Sequence, residues 1–142
     1  MIPVDGSSTS NQALQEAIKL AAIHQSRLRL VHIVDESIPY NGFEGFIDIV
    51  ALREALTSAG KATLENARET ARKNGIEAES TLLETAGGRI ADLIAEEAKR
   101  WPADLIVIGT HGRRGFDRFF MGSVAEGVTR IATMPVLLVR GK

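Results

Sequence analysis

Leu105-Ile106-Val107-Ile108 runs into Gly109-Thr110-His111-Gly112, and after nine further residues the chain reaches Gly122-Ser123. Four consecutive apolar residues bounded by glycine fit a strand covered on both faces, as in the middle of a parallel sheet. The glycine-punctuated segment joins that strand to a helix that starts at Ser123, whose inward set is Val124, Val128 and Ile131. Val136-Leu137-Leu138-Val139 closes the chain as a last strand.

Working back from Leu105, Gly87-Gly88 opens a helix with Ile90, Leu93, Ile94 and Ala98 inward, closed before Pro102. Residues 77–84 read as an edge strand of mixed polarity, and 47–74 as a long helix with Leu52, Leu56 and Leu64 on one side and a bend at Gly60. Asn74-Gly75 ends that helix. Residues 35–45 carry Pro39, Asn41, Gly42 and Gly45 and read as a loop. Residues 28–34 form a strand apolar on both faces. Before it, Leu14, Ala17, Ile18 and Ala21 mark a helix capped by Ser10 or Asn11, and Ile2-Pro3-Val4 marks a first strand. Strict alternation of five strands and about four helices predicts an α/β fold: a doubly wound five-stranded parallel sheet, Rossmann-like, in a single domain over 1–142. Ligands in such sheets bind at the carboxyl ends of the strands, so the loops after Val4, Val34 and Ile108 are the places to look.

Composition narrows the function. The chain has 142 residues, 44% apolar and 25% charged, enough for one ordinary globular core. With 17 basic against 18 acidic side chains it carries no global attraction for polyanions, so nucleic acid and anionic membrane are not expected partners. No apolar run is long enough to span a bilayer, and Met1-Ile2-Pro3-Val4-Asp5 lacks the pattern of a signal peptide. The absence of cysteine removes thiol catalysis and cysteine zinc sites. A cytoplasmic location is the expectation.

The segment 109–123 carries the chemistry. A polyphosphate needs backbone N–H groups that approach closely, which side chains would block, and a helix N-terminus adds further donors and a partial positive charge. Gly109, Gly112 and Gly122 supply the first, the helix from Ser123 the second, and Arg113, Arg114 and Arg118 add cations. Plain turn and cap chemistry uses the same residue types, so the spacing has to carry the distinction. Other motifs fail: no Gly-x-Gly-x-x-Gly follows the first strand, and Gly60-Lys61-Ala62 lacks the rest of a Walker loop. His24, His32 and His111 show no metal-ligand spacing, and neither Ser7 nor Ser123 sits in a nucleophile elbow. Trp101 before Pro102 reads as a packed helix end.

Gly109-x-x-Gly112, nine residues, Gly122-Ser123 resembles the signature of the universal stress protein family in its ATP-binding branch. The resemblance covers the whole chain, with Pro3-Val4-Asp5-Gly6-Ser7 similar to that family's first strand and turn, Val31-His32-Ile33-Val34-Asp35 to its second strand, and Met134 to Val139 to its last. It implies an adenine nucleotide alpha hydrolase-like fold and a nucleotide site at matching positions. Pro3, Val4 and Asp5 would line it, with Asp5 accepting hydrogen bonds from adenine or ribose. Ile33 would pack on the base, and Ile108 and Gly109 would line base and sugar. The backbone around His111, Gly112, Gly122, Ser123 and Val124, with Arg113 beside it, would hold the phosphates. Magnesium or manganese would be coordinated largely by those phosphates, with no protein metal cage.

Asp5 alone reads equally well as a turn residue, and His111 is assigned no catalysis. Three functions remain open: an ATP-binding stress-response protein with at most slow hydrolysis, a module for AMP or cyclic AMP without hydrolysis, and a structural dimer. A homodimer is expected, because 136–139 would leave an apolar strand edge if it closed the sheet, and the resemblance implies pairing of this C-terminal strand across a two-fold axis.

Overall fold

Strand and helix alternate through a computed structural model that describes residues 1–37, 48–112 and 121–141. The order is β1 (Ile2–Pro3), α1 (Ser8–His24), β2 (Leu28–Asp35), α2 (Ile49–Lys73), β3 (Ala78–Thr85), α3 (Ile90–Arg100), β4 (Ile106–Gly109), α4 (Ser123–Ile131) and β5 (Val136–Val139). Every strand pair is parallel, in one sheet ordered β1-β2-β3 and a second made of β4-β5. The two sheets meet at β1 and β4. There Val107 N–H donates to Met1 O at 3.0 Å, and the Met1 amino nitrogen donates to Leu105 O at 2.8 Å.

Side chains alternate across the strands with a period of two and build a core on each face. On one side Ile2, Leu28, Leu30 and Val107 pack under Leu14 and Ile18 of α1 and Leu64 and Ala71 of α2. On the other, Val31, Ile106 and Ile108 pack under Ile94 of α3 and Ala125 and Val128 of α4. Leu30, Ile94, Ile106 and Val128 are fully buried, and each such side chain contributes about 1.5–3 kcal/mol over its exposed state. This is the α/β layering that the alternation predicts. β3 pairs with β2 alone among the described residues, as its mixed polarity implies.

Helix starts differ from expectation. The cap of α1 is Ser7, not Ser10 or Asn11: Ser7 Oγ accepts from Ser10 N–H at 3.2 Å. The Ser10 hydroxyl is engaged by Asp5 N–H at 3.1 Å, so the helix begins earlier than its apolar stripe. Gly87 (φ +100°) and Gly88 form a turn ahead of α3 rather than opening it. Gly75 (φ +77°) ends α2 as expected. Trp101 caps α3 as a packed helix end, beneath the Arg27 guanidinium and bonded through Nε1 to Glu79 Oε2 at 3.0 Å. The loop read at 35–45 lies largely outside the described residues.

Candidate functional site

Gly109, the last residue of β4, is a point of close backbone approach. A Cβ there would stand 2.9 Å from the carbonyl carbon and oxygen of Thr9, so only glycine lets the first turn of α1 rest on the end of β4. Thr9 Oγ1 in turn donates to His111 O, tying the exit of β4 to α1. Thr110 N–H donates to Val139 O at 2.8 Å, which extends the β4–β5 pairing by one bond.

The halves of the glycine pattern, far apart in sequence, come together. Gly122 N–H donates to Thr110 O at 2.7 Å, closing the neck of the loop. From Gly122 a Cβ would lie 3.6 Å from His111 Cα and 3.8 Å from Gly112 N. Gly122 is also the N-cap of α4, and makes no side-chain cap hydrogen bond. The first intrahelical bond comes from Glu126 N–H to Gly122 O, so the N–H groups of Ser123, Val124 and Ala125 precede the helix ladder. They sit at the positive end of the α4 dipole, the arrangement that favours anions.

Asp5 faces this neck from the end of β1. Its Oδ1 accepts from Ser7 N–H at 2.9 Å, and its Oδ2 stands 2.9 Å from where a Gly112 Cβ would be. Asp5 is therefore both turn former and part of the cluster. Pro3 ends β1, and Val4 behind it is buried, with its N–H bonded to Val31 O at 2.8 Å. Ile33 on β2 and Ile108 on β4 lie on the α3/α4 side of the sheet, Ile108 buried and Ile33 half-buried. His111 is half-buried, with Nδ1 2.9 Å from Thr110 Oγ1, so its ring turns back on the strand end rather than outward. Arg113, Arg114 and Arg118 lie outside the described residues.

Sequence reasoning missed Thr9 and Thr110. Thr110 sits inside the quoted motif but is not a glycine, and Thr9 acts across the sheet from another element. A groove of about 390 Å³ between α1 and α2, lined in part by Asn11, Gln15, Thr63 and Asn66, shares Val4 with the site but none of its motif glycines. Among the described residues no group of three or more His, Cys, Asp or Glu side chains gathers as a metal cage, and no helix is long and apolar enough to cross a membrane.

Comparison with known proteins gives the chain its family. The profile described as the universal stress protein family matches residues 1–140. A universal stress protein of Methanocaldococcus jannaschii is 36% identical over 142 residues, covering 99% of this chain and 80% of that one. The universal stress protein from Archaeoglobus fulgidus in complex with dAMP superposes with a TM-score of 0.70 at 29% identity, covering 97% of this chain and 94% of that one. A universal stress protein in complex with cAMP superposes with a TM-score of 0.69 at 26% identity, covering 97% and 93%. With its parallel α/β fold, its paired glycine segments and a match along nearly its whole length, the chain belongs to the universal stress protein family.

Proposed function

We propose that this protein binds adenine nucleotide, ATP foremost, where β4 crosses into α4, and that occupancy or slow turnover acts as a stress-response signal in the cytoplasm. One observation carries the reading: the Gly122 N–H to Thr110 O bond sets Gly112 beside the first turn of α4. Main-chain donors from two distant segments thus converge where an anion would sit. The dAMP and cAMP complexes of related proteins support adenine as the base. We take the two sheets to act as one doubly wound layer, ordered β3-β2-β1-β4-β5, with its order reversal between β1 and β4 at this site.

In this arrangement Asp5 accepts hydrogen bonds from ribose or adenine, beside Pro3 and Val4. Ile33 and Ile108 flank the base, Gly109 keeps the floor thin, and the amides of Gly112, Ser123 and Val124 take the phosphates with the His111 backbone alongside, while Gly122, its own N–H bonded to Thr110 O, holds the two segments together. Magnesium or manganese would be held mainly through the phosphates, because the described residues gather no group of three or more carboxylates or histidines that could cage an ion. Hydrolysis needs a base aimed at a water, and we assign that role to no residue here. Binding therefore outweighs catalysis. β5 leaves Leu137 exposed on an apolar edge, which supports a homodimer through that strand.

Calorimetric titration of the purified protein with ATP and magnesium, then AMP and cyclic AMP in competition, tests the reading. Binding with ATP preferred is expected. Preference for AMP or cyclic AMP would favour the second function, a nucleotide module without hydrolysis. No heat, together with no nucleotide released from the purified protein, would overturn nucleotide binding and leave the structural dimer.

A further inference from the structure

His32 is a buried titratable side chain for which nucleotide binding, as described, has no task. It lies in β2 at 8% exposure. The register of β1 on β2 is Ile2↔Leu30 and Pro3↔Val31, and the bond from Val4 N–H to Val31 O completes it. In a continuing parallel ladder the Val4 carbonyl would be the next acceptor, served by a main-chain N–H of β2. The register goes no further. Val4 O instead lies 2.6 Å from His32 Nδ1. A carbonyl only accepts, so Nδ1 carries the proton and, in the neutral ring, Nε2 is bare.

The ring is clamped in place. α2 crosses it so closely that a Cβ on Gly60 would stand 2.8 Å from His32 Cδ2 and 2.9 Å from Leu82 Cδ1. Gly60, read from sequence as a bend, is the residue that lets the helix lie on the imidazole. The carbonyl so held belongs to the residue before Asp5, whose N–H is itself fixed by Ser10 Oγ at 3.1 Å.

We propose that His32 is a positioning residue: its Nδ1–H replaces a ladder donor at the point where β1 parts from β2, holding the Val4 carbonyl and thereby setting the Asp5 carboxylate at the neck of the site beside Gly112. Its consequence for ligand affinity rests on the nucleotide reading above. Its hold on the turn does not. The effect falls on the base and ribose end of a nucleotide, because the phosphate donors belong to β4 and α4.

Three variants and two ligands separate the possibilities. His32→Leu removes the donor at similar bulk, His32→Asn keeps an N–H near the Nδ1 position, and Gly60→Ala displaces the ring. AMP affinity should fall about tenfold in His32→Leu and Gly60→Ala and stay within about threefold in His32→Asn, while binding of inorganic tripolyphosphate stays within about twofold throughout. In the ligand-free protein, long-range proton–nitrogen correlation should show the Nδ1–H tautomer. Amide exchange at Val4 and Ser7 should accelerate about tenfold in His32→Leu and not in His32→Asn. Equal losses for AMP and tripolyphosphate, unchanged AMP affinity in His32→Leu, failure of His32→Asn to restore it, or an Nε2–H tautomer would overturn the proposal. Should the unaltered protein bind no AMP, the nucleotide reading fails, and the tautomer and exchange measurements still decide whether His32 holds the turn.

Discussion

A single methyl group at Gly112 would collide with Asp5 Oδ2 at 2.9 Å, and the carboxylate, the end of a short flexible side chain, would swing away. Gly112→Ala therefore displaces Asp5 without disturbing the core. Calorimetry should show nucleotide affinity weakened about tenfold, with the urea midpoint nearly unchanged. Gly109→Ala behaves differently, because its Cβ would meet main-chain atoms of Thr9 that cannot rotate aside. Overpacking there should cost roughly 1–3 kcal/mol in urea unfolding. These glycines are legible in the sequence because their spacing is distinctive. Thr9 is not: a threonine in the first turn of a helix looks like any other, and its bond to His111 O spans 102 positions of chain. His32 is equally silent, since a histidine in a strand does not announce that it replaces a backbone donor.

At the scale of elements, the apolar periods locate every strand and helix, while the ends are set by polar contacts that periodicity does not see. Ser7 rather than Ser10 caps α1 because the Asp5 N–H already uses the Ser10 hydroxyl. The lower ends of β2, β3 and α3 are tied by charge. Glu97, whose side chain is 1% exposed, is bonded by Arg29 at 2.6 Å and by Arg100. Glu97→Ala leaves Arg29, itself only 17% exposed, short of its buried partner. The expected loss is about 3 kcal/mol by urea unfolding, with the wild-type fold retained. Glu79 offers a pH test. Hydrogen bonds from Arg27 and Trp101 hold its carboxyl below the ordinary glutamate range. A lowered carboxylate pKa adds stability that is present above the unfolded value and disappears as pH falls through the folded one. The stability difference between wild type and Glu79→Gln, followed by urea unfolding from pH 7 downward, should therefore shrink towards zero in acid. A constant difference would show that the charge plays no part.

For the whole molecule, alternation in the sequence is enough to predict a parallel α/β layer, and the two cores on opposite faces follow from the period-two split of each strand. What the sequence does not disclose is that the junction of the two sheets relies on contacts made by Met1. β5 stands at the outer edge with Leu137 39% exposed. Leu137→Lys should convert a dimer to a monomer in light scattering at micromolar concentration, with nucleotide affinity retained. A protein already monomeric at that concentration would remove the proposed pairing.

The convergence of main-chain donors at the β4–α4 crossing is tested most directly by following backbone amide resonances while AMP is added. If those donors grip the phosphate, the amides of Gly112, Ser123 and Val124 shift furthest, and saturate together with the heat of binding. AMP that binds while these three amides stay still, with the changes gathered elsewhere on the sheet, would contradict it.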